Sequence, residues 1–294
     1  MNKNISVIIP SLGRPTLKEC LFSLIKQSLK PEEIILIDTS FDKKAKKIIN
    51  FDNYPFNIKY FNLKGASSST ARNFGIKKSS FDYLAFLDDD CMAKDDWLEK
   101  VFYCFKKNKS LIVKGENKIK NQSSFLSKIE YIKDETFFKS FFHKKNGKIY
   151  SYFLDCKNFI AHKNLFLKRK IFFDDEIIQV EDIDFSLKLK LKKIKILYCD
   201  KAIVYHIKKL TFFELLKKEY RKALGLKKVN NKWCYIFKKK LFFDHFLISK
   251  KAEEKRKRLI KFFLERENVF LKIVFYLTDF LLNSWRSFLL LIFQ

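Results

Sequence analysis

Tyr83-Leu-Ala-Phe-Leu-Asp-Asp-Asp90 decides the fold. Its apolar part is continuous rather than alternating, the pattern of a strand buried on both faces, as strands of parallel sheets are. It then ends on three carboxylates. Two earlier segments have the same character, Ile5-Ser-Val-Ile-Ile-Pro10 and Glu33-Ile-Ile-Leu-Ile-Asp38, and Asn57 to Leu63 reads as a further strand. Between them the spacing changes. After Thr16, residues Leu17, Leu21, Leu24, Ile25 and Leu29 recur at helical intervals, and Ser69 to Lys78 reads as a second helix. Strand and helix in alternation predict an α/β domain, a mostly parallel Rossmann-like sheet flanked by helices on both faces. Such a sheet aligns the carboxyl ends of its strands along one edge, where ligands bind. Asp38 and Asp88 sit at two such ends.

Downstream, Asp95 or Asp96 suits the cap of a helix running to about Lys106, Leu111 to Glu116 a strand, and Ser124 to Phe142 a helix. Strands return near Asp155 to Phe166 and Lys195 to His206. The four prolines, at 10, 15, 31 and 55, all precede residue 56, which favours helices late in the chain. The expected organisation is a catalytic domain over 1–207 and a basic, amphipathic helical extension over 208–294.

Composition narrows the classes. Of 294 residues, 61 are Lys or Arg and 33 Asp or Glu, a formal charge of +28, yet 47% are hydrophobic, so the chain buries a sizeable core. Only eight of the basic residues are Arg, and the excess of Lys, Phe, Ile and Asn is what A+T-rich coding would produce. Position is more telling than total: from Ile207 onward there are 22 basic against 8 acidic residues, while the longer preceding part carries 39 against 25. That asymmetry suits a segment facing nucleic acid or an anionic membrane. The six cysteines show no metal-site or disulfide-scaffold spacing and read as free thiols of a reducing cytoplasm. Ile5 to Pro10 is too short for the apolar region of a signal peptide. With six glycines and no phosphate-binding glycine motif or nucleophile elbow, P-loop, dinucleotide-binding and serine-hydrolase classes fare worse, and phosphate-cradling glycine loops are nearly excluded.

Two acidic clusters remain. Neighbouring carboxylates such as Asp88, Asp89 and Asp90 repel by about 3 kcal/mol per pair at roughly 5 Å in an effective dielectric near 20, so a divalent cation is the natural neutraliser. Alternatively they form a solvated turn before the next helix. In extended chain Asp88 and Asp90 share one side and Asp89 turns away. Glu181-Asp182-x-Asp184 precedes Phe185-Ser-Leu-Lys-Leu-Lys-Leu-Lys-Lys193, whose alternation votes for a strand and whose charge order votes for a helix. A carboxylate there suits a general base, or a helix cap. His206 ends the apolar run Ala202 to Tyr205 and offers a metal a nitrogen. Arg14 and Arg72 stand out where Lys is the rule, because a bidentate anion contact is what Lys cannot replace.

Taken in order, these residues resemble the inverting nucleotide-sugar glycosyltransferases of family 2, which have the GT-A fold. The resemblance runs from Val7-Ile-Ile-Pro10, Arg14-Pro15 and Glu33 to Asp38, through Ala71-Arg-Asn-x-Gly75, Phe86 to Asp90 and Asp96-Trp-Leu98. It continues in Asn158-Phe-Ile-Ala161, Glu181-Asp182-x-Asp184 and Val204-Tyr-His206. It implies that Asp38 and Arg72 bind the nucleotide base, that Pro10 and Arg14 line the same pocket, and that Asp88 and Asp89 approach the ribose. Asp90, with His206, would hold Mn2+ or Mg2+ on the diphosphate; Asp182 would be the base, and Asn158 and Glu181 would lie on the acceptor side. The implied partners are a nucleotide-diphosphate sugar donor and a saccharide or lipid-linked acceptor in surface polysaccharide or glycolipid synthesis. Departures are Thr39 and His162, where the family favours Asp and Arg, and the shortened Phe172-Phe-Asp174. No Gln-x-x-Arg-Trp follows the base, unlike in processive polymerases.

In the tail, Lys272, Tyr276, Asp279, Asn283 and Arg286 draw one polar stripe on an otherwise apolar helix. Such a helix packs on the domain or a partner. It also suits an interface with anionic lipid, aided by Lys250-Lys251 and Lys255-Arg-Lys-Arg258. The expected location is therefore the cytoplasmic face of a membrane, peripherally attached. The competing class is a basic nucleic-acid-binding protein using Lys for phosphates and Phe for stacking; buried strands and acidic rims disfavour it, and no nucleic-acid partner is expected.

Overall fold

The continuous apolar strands stand side by side. β1 (Ile5–Ser11) pairs in parallel with β2 (Glu33–Asp38) and β4 (Tyr83–Leu87), and β2 with β3 (Asn57–Asn62). The computed structural model describes residues 4–49, 54–120, 124–207, 210–237, 250–265, 272 and 274–282. Beyond β4 the sheet is mixed. β9 (Asn158–His162) runs antiparallel between β4 and β6 (Ile112–Ile119), and β6 pairs in parallel with β10 (Ile196–His206). The short β5 (Cys91–Ala93) and the hairpin of β7 (Phe142–Lys145) and β8 (Lys148–Ser151) complete the order β3-β2-β1-β4-β9-β6-β10-β8-β7, with β5 against β10.

Successive residues of β1 explain its uninterrupted hydrophobicity. Ile5, Val7 and Ile9 face one core, with α1 (Leu17–Ile25), α2 (Lys44–Ile48) and α4 (Trp97–Lys107); Ile8 faces another, with α3 (Ser68–Lys78), α6 (Asn164–Leu167) and α7 (Glu181–Leu191). Each face being covered, alternation has no place. The α/β, GT-A-like architecture expected from sequence is the one observed.

The end of the chain is helical where described. α8 (Phe212–Phe237) packs Leu226, Val229 and Trp233 against Phe138 and Phe141, at the end of α5 (Phe125–Ser140), and against Ile183 and Leu187 of α7. α9 (Lys250–Glu265) and the helix at 274–282 bring Leu264 and Phe275 onto Ile129 and Ile132 of α5. Asp279 pairs inward with the buried Lys133 at 3.0 Å, while Tyr276 is 58% exposed, so the polar stripe is not one solvent face. Asn283, Arg286 and the side chains of Lys250 and Lys251 lie outside the described residues. None of the described helices is long and apolar enough to cross a membrane.

Candidate active site

Where the chain leaves β4 the three carboxylates diverge. Asp89, 1% exposed, turns back beneath β1 and accepts from Ser11 Oγ (2.8 Å), Leu12 N (3.0 Å) and Arg14 Nη1 (2.5 Å). It thereby fixes the loop after β1. Asp88 and Asp90 are half-buried at the rim. Asp88 accepts from Arg72 Nη2 at 2.8 Å; Asp90 has His206 Nε2 at 3.4 Å and Arg14 Nη1 at 3.6 Å. Burial and then, against the opposing arginines, their shared negative charge push Asp88 and Asp89 above the usual carboxylate range.

The mouth between β5 and β10 suits a hard divalent cation. An Asp90 carboxylate oxygen, an imidazole nitrogen of His206 and the Cys91 sulfur lie within 4.8 Å of one another. Burial, followed by the Asp90 and Asp88 charges, raises the Cys91 thiol far above its ordinary pKa, and a hard cation prefers oxygen and nitrogen to sulfur. One carboxylate and one imidazole remain. That set suits Mn2+ or Mg2+ sharing its shell with phosphate and water better than it suits a closed thiolate site.

Arg72 joins this rim to the second acidic cluster. Only 2% exposed, it extends Nη2 to Asp88 and Nη1 to Glu181 Oε1, each at 2.8 Å. Burial works against its charge, but the carboxylates outweigh it and its pKa rises. The acidic triplet at the head of α7 separates in the same way. Glu181 is taken by Arg72, and Asp184, fully buried, accepts from Lys232 (2.7 Å) and Trp233 (2.8 Å) of α8. Asp182 opens into a cavity; its Oδ1 accepts from Ile183 N at 2.8 Å. Burial, then the charges of Glu181 and Asp155, push its carboxyl up to about 7. Such a group takes up a proton reversibly near neutral pH. Val180, just before the triplet, holds φ 54°, a strained value for a β-branched residue.

Two cavities meet at this network. One of about 640 Å³ is lined by Pro10, Arg14, Thr39, Asp88, Asp89 and Asp90, among others; a second of about 230 Å³ is lined by Asp155, Lys157 and Asp182. Arg72, Asp88 and Glu181 border both.

Two residues expected at the site lie elsewhere. Asp38 borders neither cavity and spends its carboxylate on Ser40 N and Oγ, Ala45 N and Tyr60 OH at 2.6–3.0 Å. It shapes the loop that carries Thr39 to the larger cavity. Asn158, fully buried, accepts from Trp97 Nε1 (2.8 Å) and donates to Glu116 O (2.9 Å) and Ala202 O (3.1 Å), tying three elements together inside the sheet. Sequence reasoning missed the buried Asp155–Lys157 pair, N···O 2.6 Å, three residues or fewer from the Asn158 motif. It also missed Glu214, Lys217, Lys218 and Arg221 of α8 at the larger cavity. Their spacing of three, one and three marks one helical face, a signal present in the sequence.

Comparison with known proteins agrees with this architecture. The Glycosyl transferase family 2 model matches residues 6–172. A poly-β-1,6-N-acetyl-D-glucosamine synthase of Staphylococcus epidermidis is 31% identical over 77% of the chain and 55% of its own length. The amylovoran biosynthesis glycosyltransferase AmsB of Erwinia amylovora is 28% identical over 62% of each. The chain thus spans about half the length of the synthase. Among solved structures, S. aureus TarS 1–349 in complex with UDP-GlcNAc superposes with a TM-score of 0.57 at 18% identity, covering 97% of this chain and 90% of that one. The same fragment with UDP gives 0.55 at 21% identity over 76% and 65%. A family match across more than half of the sequence, on a fold shared with these structures, makes the chain a glycosyltransferase that belongs to glycosyl transferase family 2.

Proposed function

We propose that the protein is an inverting, metal-dependent glycosyltransferase. It moves a sugar from a nucleotide-diphosphate donor to a hydroxyl of a saccharide or lipid-linked acceptor during surface polysaccharide or glycolipid synthesis. One observation carries this reading: the Asp88–Arg72–Glu181 bridge sets an acidic rim and a carboxyl of pKa about 7 on either side of one junction. The named relatives, and neighbours solved with UDP and UDP-GlcNAc, support the donor class and the polysaccharide setting.

The donor occupies the larger cavity, with its base and ribose against Pro10, the Arg14 loop and Thr39 and its diphosphate toward Asp90, which His206 approaches at 3.4 Å. Asp90 and His206 would hold a divalent cation, which would supply charge neutralisation to the departing diphosphate. The acceptor hydroxyl enters from the Asp182 side. Asp182 takes its proton as the oxygen bonds to the anomeric carbon, and the bond to the diphosphate oxygen breaks on the opposite face. Glu181 holds Arg72, and through it Asp88, in place; the 1–207 domain thus carries the chemistry. Exposed Tyr276, Leu277, Phe280 and Leu281 at 57–69%, near the basic α9, support peripheral attachment of 208–294 to an anionic membrane surface at its cytoplasmic face.

Release of nucleoside diphosphate from a panel of nucleotide sugars tests the proposal. Manganese-dependent release that disappears with Asp90→Ala is expected; release indifferent to chelator and to that substitution contradicts the metal reading. Tight, salt-sensitive RNA binding with no donor turnover would favour the nucleic-acid class instead.

A further inference from the structure

We infer that Lys217 and Arg221 of α8 form a clamp on the donor's diphosphate in the larger cavity, which the acidic rim also lines. This rests on the donor reading above. The other cations of that cavity are committed. Arg14 is held by Asp89, Arg72 by Asp88 and Glu181, and Lys218 by Glu130 and Asp134. Lys217 and Arg221 line the same cavity, one helical turn apart, and have no ion pair among the described residues. A polyanion placed against Asp88, Asp89 and Asp90 meets three carboxylates, two of them already neutralised by arginines; one divalent cation at Asp90 leaves the diphosphate only partly compensated. Two cations of the same cavity with no ion pair among the described residues supply the remainder, Arg221 as a planar fork suited to paired phosphate oxygens and Lys217 as a point charge.

The helix is held firmly enough to present them. Lys218 and Lys222 anchor it to Glu130 and Asp134 of α5, and Lys232 and Trp233 to Asp184 of α7. Its Gly225 lies so close to the loop before α7 that an added Cβ would come within 2.8 Å of Ile178 O and 2.9 Å of Gln179 O. That loop also lines the cavity. The clamp is therefore preorganised, and it is built from the segment beyond the family match at 6–172.

The test compares UDP with uridine by calorimetric titration in manganese, using the full chain. Lys217→Gln and Arg221→Gln should each weaken UDP binding about tenfold, the double variant about a hundredfold, with uridine affinity changed less than about twofold. Lys217→Arg with Arg221→Lys should keep most of the UDP affinity. Lys144→Gln with Lys145→Gln, an equal loss of charge at exposed residues of β7, should leave it unchanged. Wild-type UDP affinity in the double variant, or equal losses for UDP and uridine, would overturn the clamp alone. No binding of UDP, GDP or CDP by the wild type would overturn the donor reading with it.

Discussion

Asp182 and Glu181 are neighbours with different surroundings, and the difference sets the expected pH behaviour. Glu181 is tied to Arg72, while Asp182 is raised to about 7 by burial and then by the Glu181 and Asp155 charges. A base must be ionised, so kcat/KM should rise with pH through an inflection near 7. The same shift has a stability consequence. The unfolded chain loses this proton near the ordinary Asp value of about 3.9 and the folded chain only near 7, so stability falls as pH rises between them. Asp182→Asn should therefore melt above the wild type at pH 8, with the gap closing toward pH 4; a lower Tm at pH 8 would contradict that burial. Arg72→Met leaves Asp88 and Glu181 unpaired and should cost about 3–5 kcal/mol in denaturant unfolding, unlike an exposed lysine such as Lys145. Residue roles were partly legible. Scarce arginines and acidic strand ends pointed to the rim, but nothing in one sequence told an Asp that meets a ligand from Asp38, whose four donors come from the loop at Ser40, from α2 and from β3. The family resemblance puts Asn158 on the acceptor side, whereas its partners on α4, β6 and β10 become neighbours only in the folded sheet.

Element by element, the parallel half of the sheet was readable because burial on both faces writes continuous apolar runs. The conflict over 185–193 has a similar cause. The segment is a helix whose Phe185 and Leu189 enter the core beneath the sheet, while Ile183 and Leu187 enter the one shared with α5 and α8. Two buried stripes on opposite sides of a helix produce an alternation that imitates a strand. The β7–β8 hairpin was missed although Asn146-Gly147, at φ 50° and 72°, is its turn signal. Contact between α8 and the loop at 177–180 left no local pattern, since its only mark is a glycine inside a helix. Gly225→Ala should displace α8, raising donor KM at least severalfold with little change in far-UV circular dichroism. An unchanged KM would show that α8 does not position the cavity wall.

For the whole molecule, +28 combines a compositional excess of Lys with a basic extension. That extension packs on α5 and α7 through buried Leu226, Val229, Trp233, Leu264 and Phe275, and still leaves Phe280 and Leu281 at 69% and 57% exposure. Phe280→Ser with Leu281→Ser should lower co-sedimentation with anionic vesicles by about tenfold or more, each buried apolar side chain being worth roughly 1.5–3 kcal/mol. Retained sedimentation would remove these residues from the membrane contact. The composition and charge asymmetry were legible; which face of the tail stays open was not, because it depends on what α5 covers. The central claim is that Asp182 takes the acceptor's proton at a site whose donor pocket stands independently of it. Sugar transfer and UDP affinity, measured side by side for wild type and Asp182→Asn, test it most directly. Turnover should fall about 10²–10⁴-fold while UDP affinity stays within about twofold of wild type. Turnover that survives the substitution would contradict it.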